Sequence, residues 1–596
     1  MRKIVKIVLI LLLCSFFEYS FSQNLNPSYP RVAIFHWGGA VPEYYAKYKL
    51  IMIGIQGGDT LAARIRPLAP NAIMIPTLDF NAGGEVPVLH DLWAHRHADR
   101  SYVDLYFPGQ KYYDISEMCP TVSGIKFNQS LVAWLTSGRI DFSLYDGVAS
   151  DGVWDYPHSA GQDIDIDRND INDVPEHGEE WITQMLTIGI DSTLNRLSRT
   201  LPDNKLILIN SGGFHSFSRS VTNGIVNENT DALYDATYMK SAYDEFTAEA
   251  PSPHVTIIAA VPSYYPFTPV PTRNDLTFGR FMLGFVLLND GYLDLQPRES
   301  ELHRYTYWLD EFGTDLGYPN GAATEIPSIP GVWVRFFTKG AMVYNGSGDN
   351  VRVEGSLLAA QPGYQGPYYR LRGGQAPNFN NGDQFTGVDL FGTTASEIGN
   401  PGNIGYHGDA ILLFKDPITE ISDIIVDNVG GGTSSGSVSA NMIGNWLFNQ
   451  CDGAGAYYTP RCEDDPELYG YYISNGNAGT SIAEYRPTIG VTGQYAVYEW
   501  HGFIGSTPNA VNEATTNYAI VHRDGTDFVS VNQATQYGGW NYLGAFHFST
   551  GNSGYVSLSN TNGIVMADAI KFVYTANIGG DTDPPPKVTG LRAYQQ

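Results

Sequence analysis

From residue 31 to about residue 294, short apolar runs alternate with polar or amphipathic stretches. The runs occupy 31–35, 50–55, 72–76, 147–153, 206–209, 224–226, 255–261 and 291–295. A strand buried on both faces has no polar side, so near-continuous apolar runs predict parallel strands covered by helices. Between them, 128–135 and 179–197 repeat apolar residues at the helical period, with Trp181, Met185 and Ile188 on one face. Eight strands with intervening helices predict an α/β unit over 31–318, folded as a (β/α)8 TIM barrel. A doubly wound sheet is the alternative, but no glycine-rich phosphate loop follows the first strand.

After Tyr318 the pattern shortens. Residues 332–337, 341–344, 351–353 and 410–414 read as brief strands separated by Gly, Pro and Asn, predicting a small antiparallel β-domain over 319–418 packed on the barrel. A second all-β unit, sandwich-like, spans 424–574, with Asn-Gly and Asp-Gly turn signals along it. Residues 575–596 read as a stiff Pro-rich linker.

The first 22 residues combine a basic start, an apolar run too short to span a bilayer comfortably, and the small pair Ser20 and Ser22. They predict a secretion signal removed before Gln23, with a retained anchor as the alternative. Leu13 before Cys14 argues against a lipoprotein signal, and no later segment offers 18 uninterrupted apolar residues. The mature protein is therefore expected to be soluble and exported, extracellular or periplasmic, with no membrane partner. Cys451 and Cys462 bracket a short loop, and an oxidising compartment favours a disulfide between them. Cys119 is then expected to be a buried thiol.

Net charge sharpens the picture by exclusion. At -27, with only 16% charged residues, the chain lacks the clustered Lys and Arg that nucleic acid or anionic membranes require. Its 39 Tyr and 10 Trp suit contact with neutral sugars.

In such a barrel the chemistry sits at the C-terminal strand ends. Reading each end yields His36 and Trp37, Asp79, Asp151, Asn210, Glu228 and Tyr264, an acidic and polar set. Two carboxylates facing one mouth can serve as the acid and the base or nucleophile of glycoside hydrolysis, and Asp151 and Glu228 are the pair the strand ends offer. The remaining five are assigned to substrate binding, and no cofactor is expected for the chemistry. Helix capping or loop anchoring is the competing role for both carboxylates.

The acidic loop after the fourth strand carries a further pattern. Asp165, Asp167, Asn169, Asp173 and Glu176 stand at the oxygen-ligand positions of a calcium loop, predicting a structural Ca²⁺ site. Asp170 stands where such loops have glycine, and Asn172 where they have an apolar anchor; a solvated acidic loop is the alternative. His90, His95 and His97 match no zinc spacing.

Four segments carry a resemblance: Asp-Gly-Val-Ala-Ser-Asp (146–151), Asn-Gly-Ile-Val-Asn-Glu (223–228), 307–319 and 334–345. Through them, residues 31–415 resemble the hypothetical glycosyl hydrolase families of bacterial exported proteins. That resemblance implies a barrel, a following β-domain, and Asp151 and Glu228 as the carboxylates of catalysis; Asp310 and Glu311 are read as bridging the two domains. Residues 424–574, through 424–428, 538–544, 554–559 and 565–573, resemble the C-terminal domain shared by golvesin and xanthan lyases, described as carbohydrate-binding. This implies a glycan-stacking role for Trp500, Tyr537 and Trp540. The last residues resemble the opening of a fibronectin type III domain. The expected function is an exported, polysaccharide-degrading glycoside hydrolase with a binding module; a polysaccharide lyase and a non-catalytic glycan-binding protein are the alternatives.

Overall fold

The computed structural model describes residues 25–576 except 37–41, 56–57, 83–89, 158–159, 212–218, 229–235, 261–272, 297–307, 373–375, 377, 395–405, 418–422, 429–439, 450–470, 475–478, 502–515, 534–539 and 562–563. The first 22 residues, expected to be a secretion signal, lie outside the described residues, as do the tail, Trp37, Tyr264, Tyr537, Cys451 and Cys462.

Eight parallel strands run in sequence order: β1 (Ala33–His36), β2 (Leu50–Gly54), β3 (Ile73–Asp79), β4 (Gly147–Asp151), β5 (Leu206–Asn210), β6 (Gly224–Glu228), β7 (Ile257–Ala260) and β8 (Tyr292–Leu295). The sheet curls nearly into a barrel: Val32 bridges Leu293 in parallel, and the Leu293 N–H donates to the Arg31 carbonyl at 3.1 Å. Alternation decides which side chain goes where. Ala33, Phe35, Leu50, Met52, Ile73, Ile75, Ala149, Leu208, Val226, Ile257 and Tyr292 form one buried cluster inside the sheet. The opposite parity, including Ile34, Ile51, Met74, Val148, Ile207, Ile225 and Ile258, joins the larger core under the helices. Both faces are apolar, which is why the sequence shows runs and not alternation.

Among the described residues up to 318, the α-helices in chain order are α1 (Pro42–Tyr45), α2 (Gly58–Ile65), α3 (Phe127–Trp134), α4 (Asp173–His177), α5 (Glu179–Thr200), α6 (Ala236–Glu249) and α7 (Arg273–Leu288). The expected stripe on α5 is corrected: Ile182, Leu186, Gly189, Ile190, Thr193, Leu194 and Leu197 are buried, whereas Ile188 is exposed. Trp181 instead packs on His177 with ring centroids 4.3 Å apart. Two apolar stripes one residue apart share the helical period, and only the packing partner selects between them. Among the described residues, no helix is long and apolar enough to cross a membrane.

From Leu276 to Leu288 α7 is buried save for Thr277, because an antiparallel sheet covers the side turned away from the strands. That sheet orders its strands as Tyr369–Arg370, Asp409–Phe414, Gly340–Asn345, Val332–Phe336 and Thr324–Glu325. Phe281 stacks on Tyr344 at 5.2 Å, and Arg280 holds Asp409 through two bonds of 2.9 and 3.0 Å. A Cβ at Gly284 would meet the Cβ of Ala410 at 2.5 Å, so glycine permits the close approach. Glu311 Oε1 accepts from Asn380 Nδ2 at 2.8 Å, the bridging role expected of it.

In the C-terminal unit a four-stranded sheet (Ile424–Asp427, Ala569–Ala576, Gly493–Trp500, Asn541–Phe548) and a five-stranded sheet share one core, with Tyr485, Tyr495, Val497, Ile520, Val556 and Phe572 buried in it. Sheets with one apolar face pack face to face in this way.

Candidate active site

Asp79 and Asp151 are register partners at the C-terminal ends of β3 and β4, so both belong to the inward parity of their strands. Asn210 ends β5 at the next corner and donates from Nδ2 to Asp151 Oδ1 at 2.7 Å; the Gly152 N–H donates to the same oxygen at 3.0 Å. Asp79 Oδ1 accepts the N–H groups of Asn81 and Ala82 at 2.7 and 3.1 Å, and Oδ2 accepts the Tyr106 hydroxyl at 2.6 Å. Gly152 takes φ 61°, and a Cβ there would lie 2.9 Å from Asp79 Oδ2 and 2.6 Å from the Tyr106 hydroxyl. Any other residue would strain the turn and push the carboxyl group away. Tyr106 meets Trp154 edge-on at 5.9 Å, forming an aromatic wall beside the two carboxyl groups.

Burial pushes Asp79 up to about 7; the Tyr106 and backbone hydrogen bonds oppose this, and the Asp151 charge adds to it. Burial, then Asp79 and Asp151, hold the Tyr106 hydroxyl far above its ordinary range, so it stays protonated. The site thus sets a carboxyl group of raised proton affinity beside a neighbour held by two N–H donors.

The other expected residues divide. Glu228 ends β6 in register with Ala259, two strands from Asp151, and its side chain lies outside the described residues. His36 is corrected: it shares the outward parity of Ile34, is 1% exposed, and its Nδ1 meets the Tyr45 hydroxyl of α1 at 2.6 Å. In a strand one residue decides the face, and His36 falls one short of the mouth. Asp294, missed by the strand-end reading, has the inward parity; its Oδ2 accepts from Phe35 N at 3.2 Å and Gln296 Nε2 at 2.8 Å, tying β8 to β1 at the seam. Tyr106 was also missed, since it reaches Asp79 from a non-periodic loop. Cys119 is buried as expected, and burial pushes its thiol up to about 12, far from a thiolate.

In the C-terminal unit the stacking role of Trp500 is corrected. Trp500 is 2% exposed and packs with Ile425 and Ala569, edge-on to Trp540 at 5.4 Å. Trp500 has the opposite parity to Tyr495 and Val497, so it lies on the face of its sheet turned away from the shared core and is covered there, where an indole contributes more to folding than it could on the surface. Trp540 is half-buried, with the Lys571 ammonium 4.7 Å from its ring centroid.

The expected calcium ligands also divide. Asp165 is buried, pairs with Arg96 at 3.1 Å, and accepts the N–H groups of Asn169 and Asp170 at 3.0 and 3.2 Å. Asn169 Oδ1 accepts the Ile171 N–H at 2.8 Å, which turns its NH₂ towards Asp167 and Glu176. Asp165 and Asn169 thus brace the loop's own backbone, and the group of converging ligand atoms does not include them. Asp170 makes the turn without glycine, at φ 67°. Asp167, Asp173 and Glu176 do converge, and they do so with His177. Burial pushes Asp173 up to about 6, opposed by the Ile166 N–H and reinforced by the Asp167 charge.

Among solved structures, the chain is similar to the isomalto-dextranase of Arthrobacter globiformis T6 complexed with panose, at 11% identity and a TM-score of 0.31, over 89% of this chain and 91% of that one. It is similar to the glycoside hydrolase domain of PelA from Pseudomonas aeruginosa at 12% identity and a TM-score of 0.28, over 45% of this chain and 94% of that one. With a Paenibacillus xanthan lyase it shares 17% identity at a TM-score of 0.21, over 44% of this chain, and spans only 26% of that lyase. No curated protein matches the chain. The strand Ile424–Asp427 pairs with Ala569–Ala576, so the C-terminal unit opens ahead of the segment that a known family describes. Within that unit, residues 452–574 match the Golvesin C-terminal domain.

Proposed function

We propose that the protein is an exported glycoside hydrolase acting on a polysaccharide, built on a (β/α)8 barrel, with the C-terminal unit as its glycan-binding module. The observation that carries this reading is the cluster of Asp79, Asp151 and Asn210 at the ends of three consecutive strands, beside the Tyr106–Trp154 wall. Asp151, oriented by Asn210 and the Gly152 N–H, faces an anomeric carbon as nucleophile or base. Glu228, from β6, is its partner and exchanges the proton with the glycosidic oxygen. Asp79 binds sugar hydroxyls: its protonated form donates, its ionised form accepts, and Tyr106 fixes its orientation. The aromatic wall offers a flat face to a sugar ring.

The test is a panel of neutral and acidic polysaccharides assayed for new reducing ends, with wild type and Asp151→Asn side by side. New reducing ends from wild type alone support the reading. Unsaturated uronate products would identify a lyase, and cleavage undiminished in Asp151→Asn would move the site elsewhere.

A further inference from the structure

The loop after β4 returns through α4, and there four side chains point their ligand atoms at one another. Oxygens of Asp167, Asp173 and Glu176 and a ring nitrogen of His177 lie within 4.8 Å of each other. From His177 Nε2, the distances are 3.5 Å to Asp167 Oδ2, 3.8 Å to Asp173 Oδ1 and 3.8 Å to Glu176 Oε2. A tetrahedral ion with bonds of roughly 2.0–2.1 Å places its ligands about 3.3 Å apart, so the His177 pairs stand close to that spacing and the wider pairs, up to 4.8 Å, must draw in around the ion.

A second feature points to a ligand. Asp173 is fully buried, its Oδ2 accepts the Ile166 N–H, and its Oδ1, turned into this cluster, has no hydrogen-bond partner. A buried carboxylate oxygen left without a donor is costly, and a cation at the centre of the four groups supplies what it lacks. The surroundings are ordered for that purpose. Asn169 Nδ2 donates to Asp167 Oδ2 at 3.2 Å and to Glu176 Oε2 at 2.9 Å, steadying two carboxylates from outside, as groups around metal ligands do.

We infer that Asp167, Asp173, Glu176 and His177 form a divalent-cation site that takes a first-row transition ion, zinc or manganese, in preference to calcium. Carboxylates accept hard and borderline cations alike, but an imidazole nitrogen favours the transition series. The ion would clasp the loop to α4. Asp163, Asp165 and Arg168 fasten the same loop to the segment after β3: His97 Nδ1 meets the Asp163 carbonyl at 2.6 Å, Arg96 pairs with Asp165 at 3.1 Å, and Arg168 donates to the Ala94 carbonyl at 2.8 Å. Val103, Leu105, Ile164, Ile166, Ile182 and Leu186 share one core beneath them. The ion thus buttresses the wall that carries Tyr106, and the inference stands whether or not the mouth hydrolyses glycans.

The competing account is that a protonated His177 neutralises the carboxylates alone. Full-length protein stripped with chelator and titrated with Zn²⁺, Mn²⁺ and Ca²⁺ by calorimetry, with melting curves in parallel, separates the two. Tight binding of one Zn²⁺ or Mn²⁺ per chain is expected, with weaker Ca²⁺ binding and a melting temperature that rises with ion concentration. His177→Ala and Glu176→Gln, both at partly exposed positions, should weaken that affinity on the order of a hundredfold. Asp170→Asn, in the same acidic loop but paired with Arg100, should leave it unchanged. No binding by any ion overturns the site, as does equal weakening in all three variants. Ca²⁺ binding indifferent to His177→Ala also overturns it, and returns the loop to an all-oxygen calcium site.

Discussion

Two regions of this molecule bury carboxylates at the ends of strands, and they treat them in opposite ways. In the C-terminal unit, Glu499 is completely buried and saturated. Tyr518 donates to Oε2 at 2.8 Å, His501 Nδ1 lies 3.0 Å from both oxygens, and Asn541 Nδ2 donates to Oε1. Gln533 closes the network, donating to the Tyr518 hydroxyl at 2.8 Å and pairing with the Met566 backbone. In the barrel, Asp79 and Asp151 also accept donors, from Asn81, Ala82, Tyr106, Asn210 and Gly152, but remain partly exposed at the strand ends. A saturated carboxylate holds a fold together, whereas a carboxyl group with an open side and a raised proton affinity is available to a substrate. Residual exposure separates the two: Glu499 has none, whereas Asp79 and Asp151 keep some at the strand ends.

The strongest way to break that comparison is to exchange outcomes between the two sites. Asp151→Asn and Glu228→Gln should each cost roughly a thousandfold or more in turnover of the polysaccharide found by the screen, with folding and glycan retention unchanged. Near-normal turnover in both would place the chemistry elsewhere. Conversely, Glu499→Ala should leave turnover of soluble oligosaccharides intact while destabilising the C-terminal unit by about 3–5 kcal/mol, because it strips a buried network of its centre. Denaturant titration of the intact chain reads that loss as an earlier transition.

Trp500→Ala and Trp540→Ala sharpen the contrast within the C-terminal unit. The first removes a core indole and should cost about 3–5 kcal/mol of stability. The second should weaken glycan retention in affinity electrophoresis by roughly tenfold, with little effect on folding. Equal retention in Trp540→Ala and wild type would take that ring out of the binding face.

The smallest effect is a slope. Asp79 rises from 3.8 unfolded to about 7 folded, so between these values the native protein binds a proton the unfolded chain has released. Its contribution is therefore complete below about pH 4 and is lost as pH rises towards 7. Asp79→Asn should flatten the fall in melting temperature across that window by on the order of a few degrees. An unchanged slope would show that Asp79 is ionised throughout.

The parallel strands were legible because burial on both faces leaves a signature of unbroken apolar runs, as in Leu206–Asn210. Asp151, Asp79 and Asn210 were legible as strand ends for the same reason. His36 misled because the end of β1 could be placed only to within a residue, and one residue reverses the face. Trp500 misled because an aromatic residue in a strand reads alike on a binding face and in a core. The acidic loop displayed its oxygen ligands in linear order, but linear order cannot show that Asp165 belongs to Arg96 or that His177 swings in from the next helical turn.

By itself, then, the sequence determined the periods: which segments are strands, which are helices, and where carboxylates meet strand ends. These are local properties, set by side-chain alternation and backbone preference. Only the tertiary structure decided which carboxyl group has its proton affinity raised, which indole is covered, and which four ligand atoms meet. Those depend on neighbours distant along the chain, such as Tyr106 for Asp79 and Asn210 for Asp151, whose approach no local pattern encodes.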